Sequence, residues 1–164
     1  MKKLKALTLL LVALLPIFAM AAATSTAEAM IHEEVIVITA IPSQDNSMTN
    51  PHYKLLAFHW SKTINYYINP RNRYGFSTSA VVSAITVSAN TWDVETNFQV
   101  FSYKGTTSKT AGTRDGYNVV SWGYYQVGAI AVTYIWYSGS QILETDCRMN
   151  SYYRWSLSGQ SGRM

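Results

Sequence analysis

STSAVVSAITVSANTWDVET, residues 77–96, is the one stretch of this chain with a helical rhythm, and what surrounds it decides the fold. Val81, Ile85, Ala89 and Trp92 fall at spacings of four, four and three, which lines them along one helix face, and Val82 widens the stripe. Ser77 or Ser79 is placed to cap the N-terminus, where a side-chain oxygen accepts an otherwise unpaired backbone N–H. Valine and threonine are poor helix formers, so the pattern predicts a helix over 77–96 that depends on packing.

On both sides the period changes to two, the period of a pleated chain. In 60–69, Ile64, Tyr66 and Ile68 alternate with Asn65, Tyr67 and Asn69, and Pro70 and Gly75 close the strand. After the helix, Phe98 and Val100 alternate with Gln99 and Phe101. A polar loop follows over 105–116, ending in the turn signal Asp115-Gly116. Three more strands are predicted over 117–125, 129–137 and 142–153, separated at Gly128 and at Ser138-Gly139-Ser140. One strand, one helix, then four strands predicts an α+β layer: a twisted, mainly five-stranded sheet with the helix packed on one face.

Upstream, 30–53 is expected to be irregular. Val35 to Ile38 is a possible short strand, and Pro42, Asp45, Asn46, Ser47, Asn50 and Pro51 spell a loop. The N-terminus has the layout of a secretory signal peptide. Lys2, Lys3 and Lys5 precede an apolar stretch over 6–19, and Ala19-Met20-Ala21 offers small residues to a signal peptidase. The uncharged run 6–27 is also long enough for a membrane anchor, but its second half is Ala, Ser and Thr, and Pro16 interrupts it. The expected organisation is a signal peptide over 1–21, an irregular leader or short pro-region over 22–56, and one domain over 57–164. The expected location is extracellular, with membrane contact only before cleavage.

Cleavage after Ala21 removes three lysines and takes the formal charge from +4 to +1. The basic balance is therefore mostly the signal peptide, and no clustered patch suggests nucleic acid. The single cysteine, Cys147, excludes an intrachain disulfide framework.

Residues able to carry chemistry are few. His32, His52 and His59 are the only histidines. His32-Glu33-Glu34 imitates the start of a zinc helix, but Ile36 stands where the second histidine is needed. Cys147 is flanked by Asp146, which disfavours a thiolate, and it is expected to pack in the core. Glu144 and Asp146 share a strand face, where paired carboxylates serve acid–base work, calcium, a partner such as Arg148 or Arg154, or solvent. Aromatic residues crowd the last strands, Trp136 and Trp155 among them. Exposed, they would stack on sugars; buried, they are core, which strand propensity favours.

Trp92-Asp93-Val94-Glu95-Thr96, preceded by Val81 and Ala84-Ile85, resembles the helix of matrixin-type metzincin proteases, where an A…W-x-x-x-T pattern leads into the second strand. The run from Asp115 to Trp122, DGYNVVSW, looks like the third strand of the prokaryotic members. Gly128 to Tyr134, GAIAVTY, looks like the fourth. Glu144-Thr145-Asp146 through Asn150, with Trp155-Ser156, resembles the fifth strand and the turn after it. The match covers about 60–160.

The resemblance implies the N-terminal subdomain of a secreted zinc metalloendopeptidase. In that family the fourth strand is a sheet edge whose main chain binds extended substrate as an added strand, a role that falls here to Ala129, Ile130 and Ala131. The family's zinc sits on an H-E-x-x-H-x-x-G-x-x-H helix that this sequence lacks. The expectation is therefore a truncated domain with neither catalytic residues nor bound zinc, whose substrate would be a peptide or protein if completed. The competing expectation is a secreted β-rich binding module that uses aromatic strand residues on glycans or proteins.

Overall fold

The computed structural model describes residues 30–39 and 55–157. The proposed signal peptide and His52 lie outside the described residues. Six strands form one mixed sheet: β1 (His32–Thr39), β2 (Ile64–Ile68), β3 (Phe101–Thr106), β4 (Asn118–Gly123), β5 (Ala129–Ser138) and β6 (Gln141–Asn150). One helix, α1 (Thr78–Thr96), stands between β2 and β3. The α+β class is as expected, but the strand count is six, in the order β1-β5-β6-β4-β2-β3.

The sixth strand corrects the reading of the leader. His32–Thr39 is a full strand, and it pairs antiparallel with β5 along nearly the whole length of β5. The other pairings follow from connection length. β2 runs parallel to both β3 and β4, and β4 runs parallel to β6. Parallel neighbours need a long crossover, which α1 provides between β2 and β3. β5 and β6 are joined by a two-residue turn and are antiparallel, with Ser138 opposite Gln141 and Gly139 at φ 57°.

Ser77 caps the helix as predicted, its Oγ accepting from the Ala80 N–H at 3.2 Å. The hydroxyls that weaken helix propensity are satisfied within the helix. Thr86, Ser88, Thr91 and Thr96 each donate to the carbonyl four residues back. Asp93 Oδ1 accepts from the N–H groups of Val100 and Phe101 at 2.7 and 3.1 Å, fastening the last turn to the start of β3.

Val81, fully buried, packs with Tyr66 and Ile68 of β2, and Ile85 and Ala89 lie against the same cluster. Trp92 departs from the predicted stripe and is 62% exposed. The helix contacts β3, and nothing in that contact covers the indole.

The opposite face is covered by the loop after β3. That loop begins at Thr107, later than predicted, because β3 runs to Thr106. Its Ala111 is 1% exposed and donates its N–H to Ser121 Oγ at 2.9 Å. Asn69 Nδ2 holds the same loop by the carbonyls of Ser108 and Lys109.

Candidate functional site

The three residues assigned to substrate binding open β5. Ala129 and Ala131 are buried, at 1% and 7% exposure, and Ile130 between them is half-buried. Their side chains serve the core, so any ligand role belongs to their main chain. Among the described residues β5 is not a free edge, contrary to the resemblance. Ile38 pairs with Ala131 and Thr39 with Ala129, with a register shift between the two pairs.

The start of β5 is fixed by a residue that the sequence reading passed over. Asn150, at the end of β6, is 0% exposed. Its Nδ2 donates to the carbonyls of Ala129 at 2.7 Å and Gln126 at 3.1 Å. Its Oδ1 accepts from the N–H groups of Tyr125 and Tyr152, both at 3.0 Å. Gly128, at φ 99°, donates its N–H to the Tyr153 hydroxyl at 2.8 Å. Nothing in the spacing of side chains announces this role, because every Asn150 side-chain partner is a main-chain group.

Glu144 and Asp146 do share a strand face, but that face is buried, at 3% and 1% exposure. Neither expected partner, solvent or an arginine, is found. Glu144 accepts from the N–H groups of Asp115 at 2.9 Å and Gly116 at 2.6 Å. Asp146 accepts from Gly112 and Val119, both at 2.8 Å. Burial pushes the Asp146 carboxyl up to about 6, against the pull of the N–H groups of Gly112, Val119 and Thr113. Arg148 lies across the same loop. Its guanidinium bonds the Ala111 carbonyl and sits 5.0 Å from the Tyr134 ring centroid. Gly112, at φ 100°, leaves no room for a Cβ, which would overlap Arg148 and touch Tyr134.

This arrangement clamps the loop, each carboxylate oxygen taking one main-chain N–H. No group of three His, Cys, Asp or Glu able to hold a metal occurs among the described residues. Among the described residues no set fits the zinc that the resemblance implies. His32 lies in a strand and stacks on Tyr137 at 5.4 Å, and His59 forms a bridge to Gln141. The Cys147 thiol lies largely out of solvent, and that burial pushes its pKa up, which keeps it protonated.

The tryptophans that would serve a glycan-binding module are not open platforms. Trp136 is 5% exposed, and Trp155 is partly buried with its indole N–H on the Asn150 carbonyl at 2.9 Å. Comparison with family models, with curated proteins and with solved structures finds no match to this chain.

Proposed function

We propose that this chain carries the strand-and-helix part of a secreted, matrixin-like metzincin domain, and that the outer side of β5 is its surface for extended peptide. One observation carries the reading. β5, the strand assigned by resemblance to substrate, is outermost in the sheet apart from the leader strand, and its outer side already accepts an antiparallel strand. Main-chain pairing of that kind supplies affinity with little demand on side-chain identity.

The reaction class implied by the resemblance is zinc-dependent hydrolysis of peptide bonds. The sequence holds no H-E-x-x-H segment, so the chain by itself is proposed to be without that activity and to bind peptide only.

One measurement tests the proposal. Incubation of the purified chain with casein and zinc should leave casein intact. Cleavage abolished by a chelator would refute the claim of inactivity.

A further inference from the structure

We propose that the pocket between the β2–α1 loop and the segment after β6 binds a small organic anion: a carboxylate carried on an aromatic ring. The inference is independent of the role proposed for β5.

The pocket has a volume of about 270 Å³ and is lined by Arg73, Tyr74, Phe76, Arg154 and Trp155. Drug-sized ligands occupy roughly 300–1,000 Å³, so a single ring with a short acid side chain is the size that fits. The lining divides by chemistry into three aromatic rings and two arginines, and no carboxylate is part of it. Arginine keeps its charge throughout the physiological pH range, and its planar fork matches a carboxylate. Both guanidiniums stand at the exposed rim and are uncommitted. Arg73 leans over the Tyr74 ring, 5.7 Å from its centroid. Among the described residues the one ion pair joins Lys109 to Asp115, so neither Arg73 nor Arg154 has a carboxylate partner. Two cations lining one small pocket repel each other, and an anion placed between them reverses the sign of that interaction.

The walls are held in place without a ligand. Asn72 fixes the loop on itself. Its Oδ1 accepts from the N–H groups of Tyr74 at 2.9 Å and Phe76 at 3.1 Å, and its Nδ2 donates to the carbonyls of Pro70 at 3.0 Å and Phe76 at 2.9 Å. The Tyr74 hydroxyl reaches across the pocket's base to the carbonyls of Ser151 at 3.2 Å and Tyr153 at 2.8 Å, which staples the loop to the segment after β6. On that segment the Trp155 indole N–H bonds the Asn150 carbonyl at 2.9 Å. Trp122 stands edge-on to Tyr74 at 6.2 Å. Rings fixed in this way lose little freedom when a ligand arrives, so most of the contact energy remains for binding. A bare ion would use the arginines and leave the rings idle; a ring bearing a carboxylate uses both.

The test uses the full chain and follows titrations in nitrogen–proton correlation spectra, which also report whether each variant keeps its fold. The probe is hydrocinnamate. Hydrocinnamide keeps its ring and removes the charge, acetate keeps the charge and removes the ring, and inorganic phosphate offers a stronger anion without a ring. The variants are Arg73→Gln and Arg154→Gln, both at exposed side chains. Arg114→Gln, at an exposed arginine of the loop after β3, removes the same charge away from the pocket.

Wild type should bind hydrocinnamate with shifts confined to the pocket, the Trp155 indole N–H among them, and should bind hydrocinnamide, acetate and phosphate about ten-fold more weakly. Arg73→Gln and Arg154→Gln should each weaken hydrocinnamate about five-fold, and Arg114→Gln should leave it unchanged. Absence of hydrocinnamate binding to the folded wild type would overturn the inference. So would equal binding of the amide, which would leave the arginines without a role, or equal binding of phosphate, which would leave the rings without one. Equal losses in Arg73→Gln, Arg154→Gln and Arg114→Gln would reduce the effect to net charge and would overturn it as well.

Discussion

Gly112 donates its main-chain N–H to Asp146 Oδ2 at 2.8 Å, joining a loop to a strand 34 residues further along the chain. The other oxygen of Asp146 takes the Val119 N–H at the same distance. A single buried carboxylate thus ties the loop over the sheet to the start of β4, and its protonation bears on the whole molecule.

The stability of the protein should fall as pH rises past that group. Its carboxyl stands at about 6 when folded against 3.8 as a model value. The folded state therefore binds the proton more tightly, and the stabilisation is complete below 3.8 and lost as pH rises through about 6. Linkage places the loss at about 3 kcal/mol. Urea unfolding from pH 4 to pH 7 should show this decline in wild type, and Asp146→Asn should remove that share of the slope. A variant slope equal to that of wild type would assign the pH dependence elsewhere.

Glu144→Ala should free the far end of the same loop. Two charge-assisted bonds, to the N–H groups of Asp115 and Gly116, are lost, at a cost of about 3 kcal/mol. Amide hydrogen exchange at Asp115 and Gly116 should accelerate before that of the sheet. Unchanged protection at both amides would mean that the carboxylate does not hold them.

Asn150→Asp changes one atom and should be severe. The amide Nδ2 that donates to Gln126 and Ala129 becomes a second oxygen facing two carbonyl oxygens in a fully buried position. A loss of about 3 kcal/mol is expected at neutral pH. Part of it should return on acidification, when the carboxyl regains a proton to donate. Thermal unfolding at two pH values checks both statements.

The helix offers a contrast between two apolar residues of one predicted stripe. Val81→Ala opens a cavity at a fully buried position and should cost about 2 kcal/mol. Trp92→Ala, at a residue 62% exposed, should change stability by less than about 0.5 kcal/mol. Equal losses at the two sites would mean that the indole is covered in solution.

The strands and the helix were legible because local periodicity reports which side of an element is buried. Ile64, Tyr66 and Ile68 alternate in the sequence and are the buried face of β2; Ser77 stands where a cap is needed and is the cap. Trp92 shares the period of the stripe but not its burial, since period tells which face a residue shares and not what lies against it.

By itself the sequence determined that this is an α+β chain with its helix after the first strand of the predicted domain, that one cysteine precludes an internal disulfide, and that the polar residues of β6 share a face. Those are consequences of spacing and composition within a few residues. Only the tertiary structure decided that the leader strand closes the β5 edge, that Asn150 sets the start of β5, and that Glu144 and Asp146 grip a loop instead of facing water. The physical reason is common to all three. Each interaction pairs a strand edge or a side chain with main-chain N–H and C=O groups far away in the chain, and every residue but proline carries the same main-chain donor and acceptor. No pattern of side chains can mark such a partner, so it appears only when folding brings the two together.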